Sequence, residues 1–287
     1  MQAAGKRYIV HGSTTDEFTI WNLSDLHLGT RACAEDKLRE DIQTIADDPK
    51  AFWLATGDLC DHVGYRDKRF DATTLADWVK ASDLADIGNV ATRYAAKLLK
   101  PIAHKCLGLG VGNHEKKYEI DNHHASLHGW LCTELGTPNL EYSAIFDLVF
   151  VRKAGVKVPR LVTDRPGRDD TQSISFRVYT HHGAGAAGTP GGKINRLVQF
   201  MQSWDADIYF IGHVHDQVGR REPVLSADAS CTKITHRDKL GVISGSYLKT
   251  YEQGVTTYGE IKGYRPVSLG AAWVKIKPDT REMRGQI

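Results

Sequence analysis

The sequence predicts an α/β fold, and three observations predict it. Short apolar runs recur along the chain, at Phe18–Leu23, Phe52–Ala55, Cys106–Val111, Ile174–Thr180 and Asp207–Gly212. Several of the intervening stretches carry apolar residues at helical spacing, the pattern of strand–helix–strand units. Each run also ends in a cluster of Asp, Asn or His. Burying an unpaired carboxylate at the exit of an apolar strand is costly, so these exits call for a partner, either a metal ion or a helix N-terminus.

The elements follow in order. Phe18–Leu23 has the β-branched and aromatic content of a strand and leads into Ser24-Asp25-Leu26-His27. Residues two apart on an extended chain point the same way, so Asp25 and His27 can converge. Leu38, Ile42 and Ile45 share one face of a helix over about 35–47, which returns the chain to Phe52–Ala55. That second strand breaks at Gly57 and delivers Asp58 and Asp61 into a loop. Both acidic loops therefore lie at the C-terminal ends of their strands, where open α/β sheets bind ligands.

Residues 62–105 read as an insertion. Its leading loop, Tyr65-Arg66-Asp67-Lys68-Arg69-Phe70, reads as a solvated charge run, with a phosphate grip as the alternative. A helix is expected from about Leu75 to Leu99, stopping before Pro101. The third strand, Cys106–Val111, exits into Gly112-Asn113-His114-Glu115. Tyr118 to Leu135 has a helical pattern carrying His123, His124 and His128, expected at the surface or on the substrate side. Strands are expected at Asn139–Lys153 and Ser173–Thr180, with a loop or hairpin insertion at about 150–172 between them. The later strand exits into His181-His182-Gly183. A Gly/Ala-rich loop follows, but it lacks the spacing and the Gly-Lys-Ser/Thr ending of a phosphate-binding P-loop. After a helix over Lys193–Trp204, the strand Asp207–Gly212 ends in His213-Val214-His215-Asp216.

Composition narrows the function classes. The 287 residues hold 37 Lys and Arg against 35 Asp and Glu, a formal charge of +2. That balance does not support a strongly electrostatic nucleic-acid binder, although it leaves room for a local basic patch. The five cysteines are scattered, without a Cys-x-x-Cys pair, and read as reduced thiols in a cytoplasmic setting. No membrane span or signal peptide is expected from the sequence.

Taken together, the exits read Asp-x-His, Gly-Asp-x-x-Asp, Gly-Asn-His-Glu, His-His-Gly and Gly-His-x-His. This ordered set resembles the calcineurin-like metallophosphoesterase superfamily from about Phe18 to Asp216, and Gly241–Leu248 resembles its late strand. The resemblance implies a four-layer αββα sandwich of two mixed β-sheets flanked by helices, with a di-metal site at the C-terminal strand ends. It implies one such domain over residues 1–287. It further implies that Asp25, His27 and His215 hold one divalent ion. Asn113, His213 and a histidine of the 181–182 pair would hold the other, with Asp58 bridging. His181 is the expected member, because relatives show His-x-Gly or His-x-Pro here; His182 is the alternative. His114 would assist the leaving oxygen, and Asp61 would orient a ligand.

The implied function is hydrolysis of a phosphodiester or phosphomonoester by attack of a metal-bridging hydroxide. Mixed carboxylate, amide and imidazole donors suit Mn²⁺, Fe or Zn²⁺, with Ni²⁺ and Mg²⁺ as further candidates. Two such ions clamp the attacking and leaving oxygens of an in-line displacement, and no Gly-x-Ser-x-Gly nucleophile is present. The alternatives are a nuclease-type DNA or RNA phosphodiesterase and a non-catalytic scaffold of the same fold.

Overall fold

The structure is a computed structural model that describes residues 1–122, 126–167, 172–185 and 188–286. The first strands are β1 (Gln2–His11), β2 (Phe18–Asn22), β3 (Ala51–Ala55), β4 (Cys106–Gly110), β5 (Asn139–Glu141), β6 (Ser143–Arg152) and β7 (Arg160–Val162). The rest are β8 (Gln172–His181), β9 (Ile208–Ile211), β10 (Gln217–Ala227), β11 (Ile234–Ser246), β12 (Gly270–Lys277) and β13 (Glu282–Gly285). The helices are α1 (Glu35–Asp47), α2 (Ile87–Leu99), α3 (Asn113–Asp121), α4 (Leu127–Leu135), α5 (Pro190–Ser203) and α6 (Tyr258–Ile261). No described helix is long and apolar enough to cross a membrane.

The strands join in one mixed, curled sheet, in the order β5-β4-β3-β2-β12-β11-β9-β8-β6-β1-β7, with β10 on β11 and β13 on β12. Two separate sheets were expected from the sequence. What unites them is a short antiparallel junction, Gly245 opposite Ala271 and Ser246 opposite Gly270. Gly245 has φ of +78°, and a Cβ there would stand 2.3 Å from the Gly270 carbonyl oxygen. Only glycine lets the end of β11 turn and approach β12 this closely.

The side-chain alternation of the strands divides the core. Phe52 and Leu54 of β3 face inward with Phe18 and Ile20 and meet Phe176, Val178, Phe210 and Val242 from the other half of the sheet. Trp53 and Ala55, pointing the opposite way, pack under Leu38, Ile42 and Ile45 of α1, Leu99 of α2 and Leu131 of α4. Leu197 and Met201 of α5 cover Tyr209, Ile211 and Ile243 on the far face. The expected Leu38/Ile42/Ile45 stripe is buried in α1.

Two helix boundaries differ from expectation. The helix expected from Leu75 begins only at Ile87, after a 3₁₀ turn at Ala81–Asp86 in which the Asp83 carboxylate accepts from the Lys80 N–H. Short polar side chains compete with the helix for backbone donors and favour such turns. The helix expected over 118–135 is two helices, because Ser126 accepts from the Gly129 N–H at 2.8 Å and starts α4 afresh. His123 and His124 lie outside the described residues. His128 is not on the surface: it is buried against β4, its Nε2 3.1 Å from the Leu109 carbonyl.

Candidate metal centre

β2, β3 and β4 run parallel to one another, as do β8 and β9, so the chain leaves all five at corresponding ends. Those ends carry Asp25 and His27, Asp58, Asn113 and His114, His182, and His213 and His215. Among the described residues, three groups each bring their potential donor atoms within 4.8 Å of one another: Asp25, His27 and His215; Asp58, His182 and His213; and His27, Asp58 and His114. Asp58 belongs to two of them. Its Oδ2 is 3.2 Å from His182 Nε2 and 3.9 Å from His27 Nε2. His27 Nε2 in turn is 3.2 Å from His215 Nε2, and His215 Nε2 is 3.4 Å from Asp25 Oδ1.

The backbone shows what this convergence costs. Nine described non-glycine residues have positive φ, and Asp25, His27, Asp58, His213 and His215 are five of them, at +46° to +73°. Such a conformation costs of order 1–3 kcal/mol per residue and persists where the surroundings over-determine it, typically at functional sites. Close approach contributes as well. A Cβ on Gly112 would lie 2.0 Å from Asp58 Oδ1, so a glycine before Asn113 is what admits the carboxylate.

Two of the imidazoles are oriented from behind. His27 Nδ1 donates to Asp61 Oδ1 at 3.2 Å, and His182 Nδ1 donates to the Thr56 carbonyl at 3.0 Å. Both rings therefore turn Nε2 inward, the tautomer and direction a metal-binding histidine needs. His182 Nε2 also lies 2.8 Å from Asn113 Oδ1. Asp25 is fully buried and accepts from the His213 N–H at 3.0 Å and the Ser244 hydroxyl at 2.9 Å. The inner face thus consists of carboxylates, an amide oxygen and imidazole nitrogens, a donor set that fits divalent cations.

The electrostatics point the same way. Burial disfavours a charged His182, yet the Asp58 and Asp25 carboxylates outweigh it and raise the ring to about 9. Burial is likewise outweighed at His114, which Asp58 and Asp61 raise to about 10. Burial would push Asp58 up, but the His182 and His114 rings hold it well below the usual carboxylate range. Carboxylates and imidazoles thus stabilise one another's charged forms across the centre.

The structure separates the two histidines of the 181–182 pair. His181, expected in the second cluster, turns the other way. Its ring packs on Phe200 with centroids 4.6 Å apart, and its Nδ1 accepts from the Gly183 N–H at 2.7 Å. His182 occupies the inner position. Neighbouring residues at a strand end face opposite sides, and β8 runs through His181, so the first residue past the strand is the one that points in.

Glu115 is the residue that the sequence reading passed over. Buried at the start of α3, its carboxylate accepts from the N–H groups of Gly112, Asp58, Leu59 and Cys60 at 2.9, 3.1, 2.6 and 3.2 Å. It binds the loop after β3 to the first turn of α3. Its position three residues after Gly112 is the spacing of a capping carboxylate, a signal present in the sequence.

The profile of the calcineurin-like phosphoesterases matches residues 18–217. The chain belongs to that family. Family membership supports a phosphoesterase function and implies divalent metal ions, which the clustered Asp and His residues could hold. No curated protein sequence matches the chain. Among solved structures, a Vps29 single mutant from Entamoeba histolytica is 12% identical, covering 94% of this chain and 97% of its own, with a TM-score of 0.38. A predicted phosphoesterase from Streptococcus pneumoniae is 10% identical over 94% of this chain and 99% of its own, with a TM-score of 0.33. The NAD nucleotidase of Haemophilus influenzae is 11% identical over 96% of this chain and 50% of its own, with a TM-score of 0.40.

Proposed function

We propose that this family member is a working metal-dependent phosphoesterase, hydrolysing a phosphodiester or phosphomonoester at the centre described above. The observation that carries the reading is the position of Asp58, which groups with His182 and His213 on one side and, on the other, with His27, itself a member of the Asp25, His27 and His215 cluster. In the proposed scheme the first three residues hold one ion, His182, His213 and Asn113 hold the other, and Asp58 touches both. Two ions so held would polarise the phosphoryl group and activate water for in-line displacement.

The rest falls to the protein's own side chains. His114 presents Nε2 to the open side, because its Nδ1 donates to the Asp61 carbonyl at 2.5 Å. It is placed to stabilise or protonate the leaving oxygen. Asp61 fixes both His27 and His114 from behind, at 3.2 and 3.3 Å. We further read three of the apolar clusters as the seams of four layers in one domain, helix, half-sheet, half-sheet and helix.

The test is a panel of phosphate monoesters and diesters, assayed with metal-stripped protein and again after restoring Mn²⁺, Zn²⁺, Ni²⁺ or Mg²⁺. Turnover that disappears on stripping and returns with a transition metal supports the reading. A chain that binds metal and turns over no ester with any of the four contradicts it.

A further inference from the structure

The loop at 65–70 is only in part the solvated charge run expected from the sequence: Tyr65, Arg66 and Lys68 are exposed, but Asp67 and Arg69 are half-buried. Arg69 is only 26% exposed at its side chain and pairs with Asp67 through two bonds, Nε to Oδ1 at 3.1 Å and Nη2 to Oδ2 at 2.9 Å. This fork fixes the guanidinium and leaves Nη1 directed at His114 Nε2, 3.4 Å away. A cavity of about 200 Å³ opens beside this pair. Its charged walls are Arg66, Arg69 and Lys117 against Asp67 and Asp121, with His114 at the inner end. Lys117 comes from α3 and reaches Asp67 Oδ2 at 3.2 Å, so loop and helix close on the cavity from two sides.

His114 connects the cavity to the chemistry. With Nδ1 committed to Asp61, Nε2 is its only free ring atom, and it faces Arg69. A leaving group that departs past His114 therefore enters the cavity, and the first fixed group it meets is the Nη1 of Arg69. Asp67 and Asp121 pair with Arg69 and Lys117, so the cavity wall sets three cationic side chains against two carboxylates, a surplus that a neutral alcohol would not offset. An anionic group would offset it, accepting from a pre-set guanidinium and an ammonium at once.

Resting on the phosphoesterase reading above, we propose that this cavity is a second anion subsite, and that the substrate's leaving group carries a second phosphate. Arg69 and Lys117 are its specificity-determining residues. Arg66, whose guanidinium lies 5.5 Å from the Tyr65 ring at the outer rim, adds charge at the entrance.

The experiment compares kcat/KM for adenosine 3′,5′-bisphosphate with those for adenosine 3′-monophosphate and adenosine 5′-monophosphate, using metal-restored full-length protein. A charge-assisted contact sets the size of the preference expected for the bisphosphate, about tenfold or more. In Arg69→Gln and in Lys117→Gln the preference should shrink toward parity, whatever happens to the absolute rates. No preference in the wild type, or the same preference in both variants, overturns the subsite. If no substrate turns over, it is the phosphoesterase reading that fails. The subsite is then judged by the affinity of the bisphosphate relative to the two monophosphates: a preference lost in the variants supports it, and equal binding overturns it.

Discussion

The Glu115 carboxylate accepts the backbone N–H of Asp58 at 3.1 Å, so the proposed bridging ligand is held in place by the helix that begins at Asn113. Glu115→Ala would leave four N–H groups without this acceptor, each worth about 1–3 kcal/mol when buried and unpaired. The expected loss of stability is about 3 kcal/mol or more, with Glu115→Gln recovering part of it. Urea denaturation of both variants checks this. A Glu115→Ala protein as stable as the wild type would mean the carboxylate ties nothing together.

His182 and His181 should behave oppositely despite being neighbours. His182→Ala is expected to lose one of two ions and most activity, since its Nε2 faces Asp58. His181→Ala should keep both ions and lose some thermal stability through its contact with Phe200. Metal content by mass spectrometry, set beside melting temperature, distinguishes them. Metal loss on the His181 side alone would restore the sequence expectation.

His114→Ala should keep its metals while turnover falls by about 10²–10⁴, the usual worth of general-acid help. The loss should be greatest for poor leaving groups such as sugar hydroxyls and small for a nitrophenyl ester, which needs little protonation. Equal losses on a matched pair would remove the acid role, and loss of metal would make His114 a ligand.

His62 supplies a pH dependence. Burial lowers its pKa from 6.5 to about 4, so the folded protein holds the ring neutral. As pH falls below about 6.5 the unfolded chain takes up a proton that the folded chain refuses, and stability declines until pH reaches about 4. The shift corresponds to about 3 kcal/mol, present above pH 6.5 and lost below pH 4. Replacing His62 with Leu removes this term, so the difference in stability between variant and wild type should move in the variant's favour between pH 7 and pH 4.5. A difference that stays constant with pH would show that the ring is already accommodated in charged form.

Much of the fold and the site was legible because each site residue follows an apolar run. β2, β3, β4, β8 and β9 were visible as short buried strands, and their exits carried the Asp, Asn and His residues in order. The strands that escaped were β1, β7, β10, β12 and β13. β1 and β10 are largely exposed or half-buried, so their side chains lack the apolar signature of a core strand. The choice between His181 and His182 was not legible, since it depends on where β8 ends to within one residue. Arg69 was misread for a different reason: its burial comes from Asp67 and from His114, 45 residues away, and no local pattern announces that contact.

The central claim is that Asp58 serves both ions, and Asp58→Asn tests it most directly. Metal content per chain and turnover of a phosphodiester should be measured on the same preparation. The account expects weakened retention of both ions and a loss of nearly all activity, because an amide cannot supply the shared negative charge. Two ions per chain with near-normal turnover would contradict it.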